Sequence, residues 1–156
     1  MLYRGTHPPF RENDSAGICT VTDVSIDLEE QMTGIKPAIG KTGDRMDVNG
    51  WMCEVVRVVW KSGSYEYYYH PSSFKVDPIF YNGYIYDGWA GYLNISHSLP
   101  VRIVKSIDGL GTVTLTLSSY KEEIVNDKIF VIPELIPDPN LNIIKIANRE
   151  LMRIKK

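Results

Sequence analysis

Alternation of apolar and polar residues runs through most of this chain. In ICTVTDVSIDL, Ile18–Leu28, the residues Val24, Ile26 and Leu28 alternate with Asp23, Ser25 and Asp27. That period of two predicts a half-buried strand. MCEVVRVVW, Met52–Trp60, is rich in β-branched residues and predicts a second strand. Lys61-Ser62-Gly63-Ser64 reads as a turn, and Tyr65–His70 as the returning strand of a hairpin. Val101–Ile107, Gly111–Leu117 and Lys128–Ile132 predict three more strands, set off by Asp108-Gly109 and a polar stretch over 118–127. Pro133, Pro137 and Pro139 then interrupt regular structure.

The tail follows a different period. In residues 140–156, apolar side chains stand at 141, 144, 147, 151 and 154. This predicts a helix, with Asn140 or Asn142 as N-cap and basic residues at its negative pole. The pattern divides the chain into an N-terminal strand and loop (1–40), a first β unit (41–79), an aromatic, glycine-rich excursion (80–97), a second β unit (98–139) and a basic helix (140–156). Asp47-Val48-Asn49-Gly50 resembles Ser106-Ile107-Asp108-Gly109, which suggests a weak internal repeat of about 60 residues.

The stretch SYEYYYHPSSFKV, Ser64–Val76, holds four tyrosines in five residues. With Ser62-Gly63 as a two-residue turn, Trp60 faces Tyr65, Val58 faces Tyr67 and Val56 faces Tyr69. Those six side chains share one face, which predicts a core. The opposite face then carries Val55, Arg57, Val59, Glu66, Tyr68 and His70, with Tyr68 and His70 turned outward.

A glycine-turn hairpin followed by Pro71-Ser72-Ser73-Phe74 and a short Lys75-Val76 strand resembles the close of an SH3-like barrel. Ile132-Pro133-Glu134-Leu135-Ile136 is similar and would close a second copy, and Gly43–Val48 resembles an opening strand. The resemblance implies a mostly β fold: one or two small SH3-like barrels with a C-terminal α-helix. Phe74 stands where peptide-binding members carry a tyrosine, and their acidic loop and ligand-reading tryptophan are not recognisable. The resemblance therefore does not imply recognition of PxxP ligands.

Charge changes the picture at the ends only. Over 156 residues the formal net charge is −2, which gives no support to broad nucleic-acid binding. Residues 1–40 carry net −3, whereas residues 138–156 carry net +3, with Lys145, Arg149, Arg153, Lys155 and Lys156 as the basic set. Such a tail pairs with the acidic head, with a neighbouring copy, or with nucleic acid. No apolar run reaches the roughly 18 residues a membrane span needs, and MLYRGTHPPFREND has no apolar signal core. The expected location is the cytoplasm, or a particle assembled there. Cys19 and Cys53 lie far apart without a CxxC, which predicts reduced, buried thiols and no disulfide.

Candidate chemistry is sparse. His7, His70 and His97 are the histidines, and His70-Pro71-Ser72 has no nucleophile-elbow glycines. Asp23 and Asp27 share a predicted strand face without a third ligand, so no metal is expected. Gly109-Leu110-Gly111 is a hairpin turn and not a phosphate loop, so no cofactor is expected either. The excursion FYNGYIYDGWAGYLNISH holds Tyr81, Tyr84, Tyr86, Trp89 and Tyr92 among glycines, with a small hairpin expected over Tyr81–Tyr86. It is either a lid over the core or an exposed contact patch.

These readings converge on a non-enzymatic binding or structural adaptor protein inside a larger assembly, with a protein partner or a second copy as its ligand. In style the chain resembles small phage proteins. The contact surface expected is Tyr68, His70, Tyr81, Tyr84, Tyr86, Trp89 and Tyr92, with the basic tail. Two alternatives stand beside it: a nucleic-acid module using the basic helix, and a small hydrolase or phosphodiesterase centred on His70.

Overall fold

The computed structural model describes residues 2–3, 18–124, 126, 134–137 and 149–154. The protein is mostly β, and its chain divides into two compact units, Ser25–Tyr120 and Met1–Val24 with Lys121–Lys156.

The larger unit is built on a five-stranded antiparallel meander: β3 (Ala38–Val48), β4 (Trp51–Trp60), β5 (Gly63–Tyr69), β6 (Arg102–Ile107) and β7 (Gly111–Thr116). Asn49-Gly50 joins β3 to β4, and both residues have positive φ (54° and 85°). That is the two-residue turn whose twist suits a hairpin. The sheet is open, with β3 and β7 as its edges, and does not close into a barrel. Strands from the expected 41–79 and 98–139 stretches thus lie in one sheet. Pro71–Phe74 forms a turn closed by the Ser73 amide donating to the His70 carbonyl, followed by a single bridge between Lys75 and Ser98.

The β4–β5 hairpin pairs two residues out of the expected register. Val58 faces Tyr65, Val56 faces Tyr67, Glu54 faces Tyr69, and the turn is Lys61-Ser62. Gly63 explains the shift. It sits inside β5, and a Cβ there would stand 2.1 Å from the Ser106 carbonyl oxygen of β6. Only glycine allows that approach, so the turn closes one residue earlier. A two-residue shift leaves each side chain on its expected face.

The connection from β5 to β6 crosses one face of the sheet. It contains short 3₁₀ turns at Pro78–Tyr81 and Tyr86–Gly88, then a helix at Trp89–Ser96. This replaces the hairpin expected over Tyr81–Tyr86. Counting helices in chain order, Trp89–Ser96 is α2, and α1 is Leu28–Thr33. Tyr92 and Leu93 of α2 pack with Val56, Val58, Tyr67 and Tyr69 into the main core. A second, smaller cluster occupies the opposite face: Val48, Cys53, Val55, Tyr68 and Val101, flanked by Trp51, Phe74, Val104 and Leu117. Cys53 is a free thiol there, and burial raises its pKa.

Helix α1 corrects the expectation of a strand through Leu28. β2 ends at Thr22 (Ile18–Thr22), and the Asp27 carboxylate accepts the Glu30 amide at 2.9 Å as N-cap. That capture favours helix over strand from Leu28 onward.

The smaller unit holds β1 (Leu2–Tyr3), β2, β8 (Leu135–Pro137) and β9 (Arg149–Ile154), in the order β1-β2-β9-β8. The expected helix over 140–156 is corrected where it is described: residues 149–154 are a strand. Cys19 pairs with Met152 and Leu135 with Ile154, so β9 has ladders on both sides. Pairing with β2 over Arg149–Arg153 and with β8 over Met152–Ile154 overrides a weak helical period. Residues 140–148 and the expected strand at 128–132 lie outside the described residues. Among the described residues no helix is long and apolar enough to cross a membrane.

Candidate functional site

The polar groups of the larger unit converge at the end of the sheet where β4 turns into β5. Asp27 is 7% exposed and accepts the Trp60 indole N–H at 2.9 Å through its second oxygen. Glu29, in the first turn of α1, accepts the Lys61 and Ser62 amides and the Ser62 hydroxyl. The Ser62 hydroxyl is the main reason the Glu29 carboxyl lies below its usual range. Two carboxylates of one capping sequence therefore pin α1 to the hairpin turn.

Asp87 approaches the same place from the 3₁₀ turn. Its φ is +59°, and its carbonyl accepts the Tyr67 hydroxyl at 2.6 Å. Lys105 of β6 binds its carboxylate at 2.6 Å and lies 4.6 Å from the Tyr65 ring centroid. A cleft of about 160 Å³ opens between Asp27, Glu29, Trp60, Tyr65, Tyr86 and Asp87. Its walls offer carboxylate oxygens and ring faces, the chemistry that receives a cationic group. Each of the three carboxylates already holds a structural partner, so the arrangement reads first as the knot that fastens helix, turn and crossover together. Among the described residues no three His, Cys, Asp or Glu side chains gather to hold a metal.

The expected contact residues separate into inside and outside. Tyr92 is fully buried and stacks on Tyr67, with centroids 4.5 Å apart, and its hydroxyl donates to the Ser98 carbonyl. Trp89 and Tyr81 are half-buried against the same core, and Tyr84 packs on Trp89 at 6.1 Å. Tyr86 lines the cleft. From Tyr81 onward the excursion is thus a lid, because Tyr81, Trp89 and Tyr92 cover the apolar face that the hairpin presents.

Tyr68, expected to turn outward as a contact residue, is 8% exposed. Val101 and Val55 pack around it, its hydroxyl donates to Glu66 at 2.6 Å, and the Arg102 guanidinium lies 6.0 Å from the ring. His70 is half-buried edge-on to Trp51 at 5.2 Å, and its buried Nδ1 has no hydrogen-bond partner among the described residues. The Ser98 hydroxyl, buried nearby, donates to the His70 and Ser73 carbonyls and not to the ring. Within the basic tail, Arg149 and Arg153 occupy β9, opposite Thr22 and Ile18. Lys145, Lys155 and Lys156 lie outside the described residues.

Two exposed features escaped the sequence reading. Phe80 is 81% exposed and Ile79 65%, side by side on the 3₁₀ turn that Asp77 caps. Pro78 after a capping aspartate was the available signal. The whole of β7 is exposed, and its run GTVTLT carries no charge. No family model, no curated protein and no solved structure matches the chain.

Proposed function

We propose that the chain is a non-enzymatic binding or structural protein that works inside a larger assembly. Phe80 carries this reading. It stands out from the surface on a turn held at both ends, by the Asp77 cap and by Tyr81 packed into the core. An aromatic side chain fixed in that way costs little entropy to dock, and Ile79 beside it extends the apolar surface. The fitting partner is a protein with an apolar pocket.

The test uses the full chain, tagged, purified from its own cells and sized by light scattering. The wild type is expected to carry a partner or to exceed its monomer mass. Phe80→Asp should release a partner at least tenfold more readily while melting at the same temperature. A wild-type chain that is strictly monomeric and retains nothing sinks the proposal.

A further inference from the structure

We propose that β7 is a docking edge for a second copy of this chain, joining two five-stranded sheets into one of ten strands. The inference rests on the assembly reading above and names the partner.

The two edges of the sheet are treated differently. β3 carries Lys41, Asp44, Arg45 and Asp47, and its pairing is broken by an irregularity between Lys41 and Arg45. Charges and bulges of that kind block pairing with another strand. β7 has neither. From Gly109 to Tyr120 there is no charged residue, and every residue of β7 is exposed.

The backbone groups of β7 that pair with no other strand among the described residues can be assigned. The Leu117 amide bonds the Val101 carbonyl at 2.8 Å, in register with the β6–β7 ladder. Alternation in an antiparallel ladder then turns Gly111, Val113 and Leu115 toward β6. The amides and carbonyls of Thr112, Thr114 and Thr116 point away from the sheet. Their side chains hold the strand in place, with Ser106 bonded to Thr112 and Arg102 to Thr116.

A second β7, antiparallel about a two-fold axis at Thr114, uses all of these groups. Thr112 pairs with Thr116 of the other copy, Thr114 with Thr114, and Thr116 with Thr112. Each pair exchanges two backbone hydrogen bonds. Between them Val113 faces Leu115 and Leu115 faces Val113, at 56% and 51% exposure in the single chain. Apolar residues meet apolar ones and threonines meet threonines, with no charge opposed to a like charge. A six-residue seam covers much less than the roughly 1,600 Å² of a standard interface, so the dimer is weak and concentration-dependent.

The test is sedimentation of the full chain up to on the order of 100 μM, a range suited to an interface of that size. The wild type is expected to shift from monomer to dimer. Thr114→Pro removes an outward N–H and no bond to β6, so it should weaken dimerisation at least tenfold with an unchanged circular-dichroism spectrum. Leu115→Lys keeps every backbone donor and places a charge in the seam, and it should act alike. A dimer that survives both variants overturns the β7 seam and leaves the assembly reading standing. A monomeric wild type that still releases a partner on Phe80→Asp likewise overturns only the seam. A monomeric wild type that retains nothing overturns both.

Discussion

On one face of the β4–β5 hairpin, Val56, Val58, Tyr67 and Tyr69 lie beneath α2, each at 1% exposure or less. On the other, Val55 and Tyr68 are buried at one end only, while Arg57 stays exposed and Val59 is 42% exposed. The strands, the alternation and even the residue types are shared. The difference lies in what the rest of the chain brings. The connection from β5 to β6 supplies a helix, two 3₁₀ turns and three aromatic rings, Tyr81, Trp89 and Tyr92, to the first face. The second face receives Trp51, Phe74 and Leu117 at its margin. A period of two says which side chains share a face, and the cover decides how much that face contributes to stability.

The largest test of this contrast is a matched pair of truncations in adjacent residues. Tyr67→Ala removes a ring stacked on Tyr92 and a hydroxyl bound to Asp87. It should cost about 3–5 kcal/mol, the range for large aromatic truncations in a packed core. Tyr68→Ala removes a ring from the smaller cluster and should cost about 1.5–3 kcal/mol. Urea unfolding of the two variants measures both. Equal losses would show that the second face is as well packed as the first.

The faces themselves were legible in YEYYY, because alternation needs only the local chain. The register was not, since the approach of Ser106 that demands glycine at 63 comes from 43 residues downstream. Burial of Tyr68 depends on Val101 and Leu117, which also come from far downstream in the sequence. Helix α2 was missed because WAGYLNIS carries a glycine and two aromatics within its first four residues and its apolar residues do not form one stripe. At the cleft, Asp27 was legible as an acid and not as a cap. Its role depends on where Trp60 arrives. Residues 149–154 were misread because strand pairing to β2 and β8 is non-local.

Alkaline titration sharpens the same contrast at smaller cost. Burial, first among the causes, raises the hydroxyl pKa values of Tyr67 and Tyr92 far above the ordinary value of 10. Tyr68, on the thinly covered face, is pushed up to about 12, again mainly by burial. A raised acid keeps its proton in the folded state after the unfolded chain has lost it. The stability it provides is complete below pH 10 and falls as pH rises beyond it. Stability should therefore drop steadily from about pH 10, the unperturbed tyrosine value. Tyr68→Phe and Tyr92→Phe should each flatten that drop from about pH 10, and Tyr92→Phe should go on doing so beyond the pH of about 12 at which folded Tyr68 ionises, as followed by unfolding at fixed urea and stepped pH. A drop insensitive to both substitutions would place its origin outside these rings.

The smallest effect belongs to the polar part of the second face. The Glu66 carboxyl is held below its ordinary value near 4.5, chiefly by the Tyr68 hydroxyl and then by Arg57. A depressed carboxylate contributes stability that is present above the unfolded pKa and is lost as pH falls through the folded one. The window therefore opens near pH 4.5 and extends downward. The Arg57 partner is 47% exposed, so solvent screens the pair and the contribution is about 0.2–1 kcal/mol. Glu66→Gln should remove this acid dependence and, with it, the same small contribution at neutral pH, whereas Tyr68→Phe should remove the larger share of the acid dependence. If Arg57→Ala erased more of the acid dependence than Tyr68→Phe, the ion pair and not the buried hydroxyl would govern this face.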